Sequence, residues 1–160
     1  MGELGLMDLL SVGLSQGGHT GGHFAEASSQ GVPMKLSGLQ EVWDQPDVRK
    51  DVDINGAGFG MQDLLSRGLG GTELEKTLLA NALIKGGYVL GLPGVFDRNL
   101  KGYGDIENIE RLSGNRFVRE LVILSALSDL YNYGSGNNQW GVGLSTFGTG
   151  QPGLMFNYRW

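Results

Sequence analysis

A chain of 160 residues with 40% apolar side chains suits one domain with a small appendage, but its 29 glycines raise the entropy cost of ordering the backbone. The absence of cysteine excludes disulfides and thiolate metal sites, and a formal net charge of −5 with no Lys/Arg run excludes a general nucleic-acid binder. No apolar window is long enough for a transmembrane helix, and the acidic start from Met1 to Asp8 lacks the basic region of a secretory signal. A free-standing copy should be weakly held, so packing against further copies or a partner is expected to offset the glycine cost.

Gly5 to Leu14 lines up with Gly60 to Leu69, identical at seven of ten positions. Each segment reads as a short amphipathic helix ended by a left-handed glycine, by duplication or by similar capping chemistry used twice. Gly13-Leu14-Ser15-Gln16-Gly17 matches a nucleophile elbow, but no strand precedes it, so a glycine-serine loop is the plainer reading. Gly17 to Gly22 reads as loop, and His23 to Gln30 as a short helix. On a continuous helix His19, His23 and Glu26 would share one face and could hold zinc for a small hydrolase. Position 20 is Thr rather than the Glu of a metalloprotease, so capping or solvated histidines are the alternative.

Residues 37 to 43 are expected to form a helix bearing Leu39, Val42 and Trp43. Asp44 to Asp53, with Pro46, reads as a charged surface connection, and Asn55 to Gly60 as a glycine turn without the spacing of a phosphate loop. Thr72 to Glu75 is a capping box opening a helix. Its buried side should carry Leu74, Leu78, Leu79, Ala82 and Leu83, with Lys85 at its negative end. Tyr88 to Phe96 reads as a buried turn. Asp105 caps a short helix through Leu112. Asn115 to Tyr133 is the longest expected helix, with a wide apolar face from Phe117 to Tyr131.

A hairpin closes the sequence. Alternation places Trp140, Val142 and Leu144 on one face with Leu154, Phe156, Tyr158 and Trp160. Gly141, Gly143, Ser145, Asn157 and Arg159 fall on the other. A transmembrane barrel strand reads this way, and so does a soluble sheet with one face on a core. The expected fold is mainly α: a helical body over 1–134 and a β-hairpin over 135–160 able to join an oligomeric barrel or sheet. The large apolar face would meet lipid or a partner, and the small polar face a lumen or solvent.

The opening Met-Gly-Glu-Leu-Gly-Leu-Met-Asp-Leu-Leu-Ser, the segment Gly17 to His23, the helical middle and the tail from Gly153 to Trp160 together resemble the short internal virion proteins, or ejection proteins, of podovirus-like tailed phages. That resemblance implies a non-enzymatic homo-oligomer without a cofactor. It implies packaging beside other virion proteins without a signal peptide, and release through the tail to form a channel in the host outer membrane. The alternatives are a soluble adaptor that docks its hairpin on a partner's sheet, and the hydrolase using His19, His23 and Glu26.

Overall fold

The computed structural model describes residues 5–37, 40–43, 47–69, 76–92, 104–136, 139–146 and 148–158. Five helices occur among them: α1 (Leu6–Ser29), α2 (Val48–Gly68), α3 (Lys76–Val89), α4 (Asp105–Ser113) and α5 (Val118–Ser135). A small hairpin, β1 (Met34–Ser37) and β2 (Gln40–Trp43), joins α1 to α2, and a second, β3 (Trp140–Ser145) and β4 (Gly153–Tyr158), follows α5. The chain is mainly helical with a C-terminal antiparallel hairpin, as the patterning predicts.

Several local expectations are overturned. Gly17 to Gly22 is not a loop, because α1 runs unbroken through it. α1 and α2 pack antiparallel, with Ser15 against Gln62, Gly18 against Gln62 and Leu65, and His23 against Ile54. A β carbon at Gly22 would collide with the Ala57 carbonyl, so glycine lets the two backbones approach. That packing outweighs a helix penalty of about 1 kcal/mol per glycine. Asn55 to Gly60 is likewise helical, inside α2. Neither near-repeat segment ends in a left-handed glycine: Gly13 lies within α1, and α2 is followed by a right-handed Leu69. Left-handed glycines do end α4 and α5, at Gly114 (φ 69°) and Gly136 (φ 64°).

The expected helix over 37–43 is replaced by strands, with Met34 opposite Trp43 and Ser37 opposite Gln40. Leu39, the box from Thr72 to Glu75 and residues 93–96 lie outside the described residues, while Tyr88 and Val89 belong to the end of α3 and the turn after them leaves Leu90 and Leu92 exposed rather than buried. The charged connection is not a solvated loop either. Asp47 caps α2 by accepting from the Lys50 N–H, while Asp51 and Asp53 are buried within the helix. Asp51 accepts from the Trp43 indole, and Asp53 from the Gly150 N–H, which ties the β3–β4 turn to α2.

The larger apolar core gathers Val52, Phe59, Ile106, Ile109, Val118, Val122 and Leu144. A smaller one holds Ala27, Val32 and Ile54 beside Met34 and Trp43. α3 adds Leu78, Ala80 and Ala82, of which Leu78 and Ala82 were expected on its buried side, and much of the remaining interior is polar. α5 buries Ser125, Ser128, Asp129 and Asn132, and turns Ile123, Leu124, Leu127 and Leu130 outward. α3 likewise buries Lys85, which was expected at the helix end, and exposes Leu83, which was expected inside.

The terminal hairpin keeps its expected register, with Trp140 opposite Tyr158, Val142 opposite Phe156 and Leu144 opposite Leu154. Its small face is not toward a lumen or solvent at Gly141 and Gly143. Both are buried, and a β carbon there would strike the Arg67 guanidinium and the Asp63 carboxylate respectively. Ser145 and Asn157 are half-buried.

Candidate functional site

His19 and His23 stand one turn apart on the inner face of α1, both buried. Asp105 reaches them from the first turn of α4. Its Oδ2 lies 2.7 Å from His19 Nε2 and 3.5 Å from His23 Nε2. The trio is walled by aromatic rings, with His19 against Phe59 at 4.9 Å and Tyr88 at 5.2 Å, and His23 stacked on Trp43 at 5.9 Å. A β carbon at Gly58 would strike both imidazoles, so the close approach of α2 needs glycine there. Only Asp105 touches the surface, at 15% side-chain exposure.

The far nitrogen of each ring is also engaged. His23 Nδ1 lies 2.6 Å from the Ile54 carbonyl, which only accepts, so this nitrogen carries a proton. His19 Nδ1 lies 3.3 Å from Gln62 Oε1. The Gln62 amide is oriented by donating to Ser15 Oγ at 2.7 Å, and Ser15 donates to Asn81 Oδ1 at 3.4 Å. Asn81 Nδ2 then donates to Asp63 at 3.0 Å and Asp129 at 2.8 Å. Every step of this chain runs in one direction, so His19 Nδ1 is a donor as well.

The chain ends in a second buried cluster. Lys85, wholly buried, donates to Asp63, Ser125 and Asp129. Arg67 donates to Asp129 at 3.2 Å and to the Val142 carbonyl at 2.7 Å. Two carboxylates thus face two cations, which satisfies the condition for keeping charge in an interior.

Electrostatics follow this geometry. Burial pulls the His23 imidazole down, but the Asp105 charge, its hydrogen bond and the Ile54 carbonyl outweigh burial and leave His23 above its ordinary value. Burial pushes Asp105 up, yet the His23 charge and the hydrogen bonds from both imidazoles hold it far below the usual carboxylate range. Burial raises the Tyr88 phenol.

Of the zinc-type residues read from the sequence, His19 and His23 come together and Glu26 does not join them. Glu26 accepts instead from the Gln30 side chain, one turn along. Asp105 takes the third place, and it was read only as a helix cap. Because 86 residues separate it from His19, local spacing carries no signal of the pairing. The buried cluster did have a signal: Ser125, Ser128, Asp129 and Asn132 recur at helical spacing, a polar stripe on one face of α5.

On the hairpin, Trp140, Phe156 and Tyr158 are exposed, Phe156 to 78%. Val142 and Leu154 are half-buried, Leu144 is buried, and Arg159 and Trp160 lie outside the described residues. Tyr131 packs on Trp140 with ring centroids 5.6 Å apart, joining the outer face of α5 to that of the hairpin. A groove bounded by Leu64, Arg67, Trp140, Phe156 and Tyr158 lies at the strand ends. Against known protein families, curated proteins and solved structures, the chain finds no match.

Proposed function

We propose that this chain is a non-enzymatic assembly component that works as a homo-oligomer at a lipid surface, as the phage ejection proteins it resembles do. The observation that carries this reading is the inverted polarity of α5 beyond its first turn, where Val118 and Val122 enter the core: from 123 to 132 serine, aspartate and asparagine lie inside, and Ile123, Leu124, Leu127, Leu130 and Tyr131 outside. A helix in water buries its apolar stripe and exposes its polar one. The reverse arrangement is favoured where the surroundings of the outer face are apolar. No described helix is long and apolar enough to cross a membrane, so the belt suits contact with lipid and neighbouring copies rather than a single-helix span.

The hairpin supplies a direction for assembly. The outer edge of β3 is occupied: the Val142 N–H donates to Ser128 at 3.0 Å, the Val142 carbonyl accepts from Arg67, and the Trp140 carbonyl accepts from Asn132 at 2.7 Å. Alternation in an antiparallel ladder then points the backbone groups of Leu154 and Phe156 to the opposite edge, on β4. Two copies meeting there would pair antiparallel about a two-fold axis, giving a four-stranded sheet with Phe156 central. A channel would be built from such pairs.

Native mass measurement and liposome leakage test the reading, with Phe156→Asp as the variant. A charge at the centre of the pairing edge should reduce both the oligomer and the leakage by about tenfold or more while leaving the helical circular dichroism unchanged. Unchanged oligomer size and leakage in that variant would refute the proposal. A monomer that captures another protein's sheet, without liposome binding, would select the adaptor reading.

A further inference from the structure

We propose that His19, His23 and Asp105 form a binding site for a divalent transition-metal ion of the zinc class, which joins α1 to α4. The argument starts from lone pairs. Both imidazoles donate through Nδ1, His23 to the Ile54 carbonyl and His19 to the Gln62 amide oxygen. A neutral imidazole with its proton on Nδ1 presents a bare lone pair at Nε2. Both Nε2 atoms point at the same carboxylate oxygen, 2.7 and 3.5 Å away. Inside a wall of Phe59, Tyr88 and Trp43 these three atoms need something positive among them, and in the metal-free protein the protons shared between Nε2 and Asp105 fill that role. A single metal ion would displace those protons and satisfy all three ligand atoms at once.

The dimensions agree. One ligand atom from each residue falls within 4.8 Å of the others. Zinc bonds to imidazole and carboxylate of about 2.0–2.2 Å set ligand atoms a little over 3 Å apart, so small side-chain shifts complete the coordination. The outer shell is also of the type that metal histidines need. Each Nδ1–H is held by an oxygen acceptor, which fixes the tautomer and aims Nε2 at the ion. The directional chain Asn81–Ser15–Gln62 serves this purpose for His19, and a backbone carbonyl serves it for His23. Two nitrogens and one oxygen, with no sulfur, favour zinc-like ions over magnesium or calcium. Three protein ligands leave a fourth position for water, on the side where Asp105 reaches the surface.

α4 packs chiefly on α2, and the trio is where it engages α1. A bound ion would therefore join an N-terminal helix to one far along the chain, and its binding energy would add to folding.

The test uses the full chain, treated with chelator and titrated with Zn²⁺ alone. One equivalent should bind and raise the thermal midpoint by several degrees. His23→Ala and Asp105→Asn should each weaken binding on the order of 100-fold, whereas Glu26→Gln should leave it unchanged. Because the alanine variant risks misfolding, X-ray absorption on the zinc-loaded wild type gives an independent readout. Two imidazoles and one carboxylate should appear at about 2.0–2.2 Å. Failure of the folded wild type to take up stoichiometric zinc, a zinc shell without imidazole, or equal losses for Glu26→Gln and Asp105→Asn would overturn the site. None of these readouts depends on oligomer formation or leakage, so the site and the assembly reading can fail separately.

Discussion

Asp129 sits against Lys85, Arg67 and Asn81, close to a second carboxylate, Asp63, in a part of the interior closed to water. Burial pushes its carboxyl up, and the charge of Asp63 adds to that. Lys85 and Arg67 pull the other way without cancelling the rise, and the group titrates at about 6. The sign of the consequence is the reverse of the usual aspartate. Between the ordinary value of 3.8 and about 6, the folded protein holds a proton that the unfolded chain has released. Asp129 therefore favours folding more as pH falls through that window, and this contribution is lost as pH rises through about 6. Asn cannot titrate, so the stability of the wild type relative to Asp129→Asn should improve from pH 7 to pH 5 by on the order of 1 kcal/mol. Urea unfolding of both proteins at the two pH values measures this. A constant difference, or one that moves the other way, would show that Asp129 stays ionised throughout.

Neighbouring glycines on α1 have opposite jobs. At Gly22 a β carbon would meet the Ala57 carbonyl and the Met61 side chain, whereas at Gly21 it would meet nothing within 4 Å. Gly22→Ala should destabilise by about 1–3 kcal/mol through overpacking, and Gly21→Ala should stabilise by about 0.5–1 kcal/mol through reduced chain entropy. Thermal unfolding of the two variants checks the signs, and equal effects would mean that α1 and α2 do not approach as closely as described. The same contrast explains what could be read in advance. Glycine's local preference argues for a loop at 17–22, and only the partner helix, some 35–45 residues along the chain, reverses it. Leu39, Val42 and Trp43 fit a helix and a strand almost equally over so short a run, so the local pattern does not distinguish β2 from a helix. The terminal hairpin was legible because strand alternation is a local signal. Half of the His–Asp site was legible for the same reason, since His19 and His23 are one turn apart, while Asp105 arrives through tertiary packing alone. The near-repeat gains a structural meaning that its residues could not give. Asp8 pairs with Lys76 and Asp63 with Lys85, so the matching aspartates both bind α3, with Leu9 and Leu64 outward and Ser11 and Ser66 inward.

Taken whole, the molecule concentrates its charge pairs and hydrogen-bonded side chains between the helices and spreads much of its leucine over the outside. Leu6, Leu9, Leu10, Leu64, Leu83, Leu124 and Leu127 are all exposed, as are Trp140, Phe156 and Tyr158 of the hairpin. Scattered exposed leucines are ordinary, but Ile123, Leu124, Leu127 and Leu130 gather on the outer side of α5 beside Tyr131, which packs on Trp140 of the hairpin. If that belt meets lipid, placing charge at its centre, far from the pairing edge, should separate membrane binding from oligomer formation. Leu124→Glu combined with Leu127→Glu suits the purpose, because both side chains point outward and neither touches the Lys85 cluster. Burying two such leucines against lipid contributes on the order of 3 kcal/mol, so their replacement should lower co-flotation with liposomes about 100-fold. Helix content and thermal midpoint in water should change little, since exposed leucines stabilise the folded chain only weakly. Flotation equal to wild type would place lipid elsewhere on the surface. Loss of the soluble fold would mean that the stripe is covered by protein, and the belt would then be an interface between copies.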